Sequence, residues 1–109
     1  MSDKVELFRE LMEIAKGELA DKWPADAMQL NEQLLLLSAH SISLEALMNE
    51  GKITKPQASV LFEMQKNYAQ GIFHMACGLT EQEAQSLMNV LLHRIIAFII
   101  GGADWIVPG

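Results

Sequence analysis

Apolar residues recur along this chain every three or four positions and nowhere alternate over a useful length, a pattern that predicts helices and no strands. Over residues 4–22, Val5, Leu7, Phe8, Leu11, Met12, Ile14, Ala15 and Leu19 fall on one arc of a helical wheel. Glu6, Glu10, Glu13 and Asp21 lie opposite, interleaved with Arg9 and Lys16, as on a solvated face laced with local ion pairs. Ser2 or Asp3 is available as the N-cap. "KWPAD" ends this helix, because the residue before Pro24 resists the helical region. Pro24 then suits the opening turn of a second helix over 24–50, with Gly51 as its stop. "TKPQ" and "TEQE" have the form of capping boxes, Thr54 with Gln57 and Thr80 with Glu83. They start a third helix over 55–77, stopped by Gly78, and a fourth over 81–100, stopped by Gly101 and Gly102. A tail remains at 101–109. Four helices joined by about two to five residues predict a single domain, an all-α antiparallel four-helix bundle.

The second helix carries "LLLLSAHSIS", where four leucines run into Ser38, His40, Ser41 and Ser43. On a helical wheel Leu30, Leu34, Leu37, Ser41, Leu44 and Met48 form one ridge with a serine at its centre, a coiled-coil-like seam. Met28, Leu35, Ala39, Ile42 and Ala46 form a second ridge, about 150° around the helix. Asn31, Ser38, Glu45 and Asn49 separate the ridges on one side, and Gln29, Glu32, His40 and Ser43 on the other. A helix with two apolar faces must bury both, whereas a lone bundle needs only one inward stripe. Ser41 and Ala39 are small enough for backbones to approach. The Ser41 hydroxyl can bond back to the carbonyl of Leu37, so the polar interruption sets register and requires no chemistry.

The fourth helix points the same way. Its polar strip of Gln82, Ser86, Asn89 and His93 vanishes after Arg94, where "IIAFII" surrounds the helix and Trp105, Ile106 and Val107 follow. That run is too short to span a membrane, so it predicts burial under the tail or in an interface. The expected self-association surface is Leu35, Ala39, Ile42 and Ala46 with Ile96, Ile99, Ile100 and Trp105.

Composition sharpens this picture. Half of the 109 residues are hydrophobic although only seven are aromatic, so the bulk comes from aliphatic side chains and methionine, as suits a bundle. Fourteen acidic against eight basic residues give a formal charge of −6, and the basic ones are scattered, with no stripe to track a phosphate backbone. No nucleic-acid partner and no membrane partner are expected. A single cysteine, Cys77, excludes an internal disulfide framework, and the charged N-terminus is unlike a signal peptide, which leads to the expectation of a cytoplasmic protein.

Candidate chemistry is thin. No glutamate has a histidine three positions on, as di-iron bundles require, and His-Glu-x-x-His is absent. His74 and Cys77 share a helix face and could offer two metal ligands, yet they sit beside Gln70 and Glu63 on a polar side. His40, His74 and His93 fall on three helices and read as separate surface groups. Met12, Met28, Met48, Met64, Met75 and Met88 read mostly as core gap-fillers, and Tyr68 and Trp23 as packing residues. The expectation is a non-enzymatic protein without cofactor or metal: a small acidic adaptor, inhibitor or chaperone-like subunit that pairs with itself and with another protein. The alternative is a bundle holding a metal or a small apolar ligand in an internal pocket.

Overall fold

The structure is a computed structural model that describes residues 3–99 and 105–106. Helix α1 spans Asp3–Leu19 and ends in a 3-10 turn, Ala20–Lys22; α2 spans Met28–Asn49, α3 Lys55–Cys77 and α4 Glu81–Phe98. No strand occurs among the described residues. Each helix packs on its sequence neighbours, and α4 closes the ring against α1. Arg94 of α4 pairs with Glu10 of α1, while Lys22, just past α1, pairs with Glu83 at the start of α4. Advancing along α1 thus means retreating along α4, so the two run antiparallel. The architecture is an all-α four-helix bundle.

The inner ridge of α2 is the centre of the core. Leu30, Leu34, Leu37 and Ser41 have no exposed surface, and Leu44 has almost none. Leu7, Leu11, Phe73, Leu91, Leu92 and Ile95 meet them from the other helices, each fully buried. Removing such a leucine or phenylalanine side chain from water contributes about 1.5–3 kcal/mol. Ser38 and Ser41 are fully buried as well, with their hydroxyls satisfied inside the helix. Ser38 Oγ donates to the Leu34 carbonyl at 2.8 Å, and Ser41 Oγ donates to the Ser38 carbonyl at 3.0 Å. The acceptor for Ser41 is therefore one residue nearer than the Leu37 carbonyl expected. Gln65 of α3 donates to Gln33 of α2 at 3.0 Å, which satisfies a polar pair across the helix–helix contact.

Helix ends follow the local chemistry more closely than the apolar pattern does. Helix α1 stops three residues early because Ala20 turns into the left-handed region, φ 50°. Trp23 is extended, as a residue before proline must be, and the Lys16 ammonium lies 5.6 Å from the centre of its ring. Pro24 does not open α2. The Asp26 carboxylate accepts from the Met28 N–H at 3.2 Å, and the first helical bond runs from Asn31 to the Ala27 carbonyl, which moves the start to Met28. At the other end of α2 Gly51 takes φ 73°, and Lys52 N–H returns to the Leu47 carbonyl. Helix α4 ends at Phe98 because Ile99 is already extended. Ser2, Gly101 and Gly102, considered above as caps and stops, lie outside the described residues.

Both capping boxes form. Thr54 accepts from the Gln57 N–H while the Gln57 side chain accepts from the Thr54 N–H, and Thr80 and Glu83 do the same. The Thr80 amide and then Lys22 hold the Glu83 carboxyl below the usual glutamate range, so the box stays charged at neutral pH. Thr54→Ala and Thr80→Ala should each lower stability by about 1 kcal/mol in chemical denaturation, because each orphans an N–H at a helix start.

Candidate interaction surface

Helix α3 turns Ala58, Phe62, Lys66, Ala69 and Phe73 inward. Its opposite side carries Val60, Leu61, Met64, Tyr68 and Met75, which are 61%, 42%, 65%, 62% and 76% exposed. From Leu61 through Met64, Tyr68 and Gly71 to Met75 the spacing is three, four, three and four, the interval of a helix seam rather than of a solvated face. No charged residue interrupts it. Gly71 is exposed within the helix, and a Cβ built there meets nothing within 4 Å. Packing inside the chain does not require this glycine, although it weakens the helix by roughly 1 kcal/mol relative to alanine. At the N-terminal end of the stripe a shallow dent of about 450 Å³ is lined by Ile53, Pro56, Gln57, Val60 and Leu61.

The charges of α3 are drawn away from this side. Lys66 lies among the inward residues with its side chain 8% exposed, and its ammonium is 2.9 Å from the half-exposed Glu63 carboxylate. Counting ionised residues, α3 holds Lys55 and Lys66 against Glu63 alone. By contrast α2 holds Glu32 and Glu45 and no basic residue, and α1 holds five acidic against three basic.

The expected surface on α2 and α4 divides. Leu35 is 41% exposed and Ala46 is also exposed, whereas Ala39 is half-buried. Ile42 and Ile96 are half-buried and pack on the core. Ile99 and Trp105 are taken up inside the chain itself at 7% and 4% exposure. Trp105 stands edge-on to Phe62 at 5.6 Å and donates from Nε1 to Glu45 at 2.7 Å, so this tail residue packs on the core of its own chain. Ile100 lies outside the described residues. The reading of the methionines as gap-fillers holds for Met12, Met48 and Met88 but not for Met28, Met64 or Met75, the last three being strongly exposed. Tyr68 is likewise exposed rather than packed. The seam spacing of α3 was present in the sequence, but it matched an ordinary apolar stripe; only the position of Phe62 and Phe73 shows that the helix has two.

The titratable groups do not assemble. Among the described residues no three His, Cys, Asp or Glu side chains form a group able to hold a metal ion. Burial holds the His40 imidazole below its ordinary value of 6.5, and its Nδ1 is buried without a partner, as is that of His74. Burial also raises the Cys77 thiol, which keeps it protonated and poorly nucleophilic. A groove of about 600 Å³ lies elsewhere, between the end of α1 and the start of α4. It is open, mixed in polarity and crossed by the Lys22–Glu83 pair, so volume alone does not make it a site. No helix among the described residues is long and apolar enough to cross a membrane. Comparison with protein-family models, with curated proteins and with solved structures finds no match to this chain.

Two outcomes follow from these side chains. Because folding lowers the His40 value, its neutral form contributes stability that is present above pH 6.5 and lost as pH falls through the lowered value. Stability should therefore drop in urea titrations as pH is taken below about 6.5, and His40→Gln should flatten that drop. For the Lys66 pair, Glu63→Ala should cost about 1–2 kcal/mol, a figure reduced because Glu63 is half-exposed, whereas Lys66→Met should be neutral or stabilising.

Proposed function

We propose that this chain is a non-catalytic protein-interaction module that works as a homo-oligomer, most simply a two-fold dimer. The observation that carries the reading is the α3 stripe: Leu61, Met64, Tyr68 and Met75 in seam register, with Val60 beside them, all uncharged and on the outside of an otherwise well-packed bundle. Scattered single apolar residues on a surface need no explanation, but a contiguous row of this kind marks a contact surface. Methionine at two of the five positions suits a surface that adapts to what covers it. In this reading the acidic outer faces of α1 and α2 remain free to meet a further protein, as in a small adaptor, inhibitor or chaperone-like subunit.

Multi-angle light scattering across a dilution series tests it, with Met64→Glu as the variant. Met64 has two-thirds of its surface outside the bundle, so a carboxylate there leaves the single chain folded, whereas Ile42→Glu would disturb the core as well. The wild type should run as a dimer that dissociates on dilution. Met64→Glu should run as a folded single chain with unchanged helical circular dichroism. A wild-type mass of one chain at every concentration would end this reading.

A further inference from the structure

We infer that the α3 stripe is covered by α3 of a second copy, laid antiparallel across it about a two-fold axis close to Tyr68. The inference rests on the self-association proposed above and adds the surface, the orientation and the register. Charge disfavours self-contact elsewhere. The chain carries −6 overall, and α1, α2 and α4 each hold more acidic than basic residues. Helix α3 alone has the balance reversed, two lysines to one glutamate, with both Glu63 and Lys66 off the stripe. A second acidic copy can therefore approach along α3 without bringing the acidic faces of α1 and α2 against one another, while a basic partner would find its complement on α1 or α2.

Area agrees with that choice. Val60, Leu61, Met64, Tyr68 and Met75 together leave roughly 600 Å² exposed, so full coverage of both stripes buries at most about 1,200 Å² from these residues, the lower bound of stable, specific interfaces. The exposed Leu36 of α2, on the side where Gln33 meets Gln65 of α3, lies at the rim and adds to it.

Register follows from shape. With the axis at Tyr68, Leu61 of one copy lies beside Met75 of the other, and Met64 lies over Gly71. The most exposed side chain of the stripe, Met75, then arrives at the dent formed by Ile53, Pro56, Val60 and Leu61. The missing Cβ of Gly71 provides the room that Met64 needs, which accounts for a helical glycine that the single chain does not require. A parallel arrangement would stack Met75 on Met75 and leave the dent empty about 21 Å away, at 1.5 Å of rise per residue.

Cysteine cross-linking in the full chain tests this, on a Cys77→Ser background so that only introduced thiols react. Under mild oxidation Tyr68→Cys should link to itself within a dimer. Leu61→Cys alone should not, because its two copies lie about 21 Å apart, well beyond disulfide reach. Mixed Leu61→Cys and Met75→Cys proteins, which keep Tyr68, should give the heterodimer. Self-linking by Leu61→Cys as fast as the mixed pair would overturn the antiparallel register. A dimer by light scattering with no cross-link at any of these positions would move the interface off α3 while leaving self-association intact, and a single-chain mass would end both. Gly71→Ala provides a second readout. It should raise the thermal midpoint of the dissociated chain, where the added methyl meets open space, yet raise the dimer dissociation constant about tenfold or more by crowding Met64. An unchanged dissociation constant would overturn the proposed contact over Gly71.

Discussion

Ser38 and Ser41 sit in the middle of α2 with no exposed surface, each returning its hydroxyl to a carbonyl of its own helix. That small internal satisfaction is what allows the most apolar helix of the chain to be packed from both flanks. Larger polar groups at these positions would need partners from other helices, and larger apolar groups would hold the neighbours apart. Around this ridge α1 and α3 take their places, and α4 closes the ring on α1. Trp105 then covers the end of the core, its ring on Phe62 and its N–H on Glu45.

Helix α3 shows how one sequence can serve two surfaces. Its inner side contributes Phe62 and Phe73 to the core and also carries Lys66, whose ammonium reaches Glu63 at the helix edge. Holding the charge at the edge leaves the outer stripe without one. Such a stripe is costly to leave in water. The acidic residues lie in excess on α1, α2 and α4, and α3 is the one helix that lacks such an excess.

Much of this protein was legible from local rules. Capping boxes at Thr54 and Thr80 and left-handed stops at Gly51 and Gly78 act within a few residues, so their residue types determined where four of the helix ends fall. The inner ridge of α2 was equally plain as a ridge, since the period of Leu30, Leu34, Leu37 and Leu44 places them on one face. Where a non-local contact or a competing local bond intervened, the pattern was insufficient. Asp26 took the amide that would have let Pro24 open α2, and Ala20 ended α1 early. The exposed apolar stripe was the least legible part. Periodicity states that Leu61, Met64, Tyr68 and Met75 share one side of α3 and that Leu35, Ile42 and Trp105 are apolar, but it does not say which side faces inward. That depends on which neighbours each helix acquires, and only the closed ring of four helices buried Ile99 and Trp105 while leaving the α3 stripe in solvent.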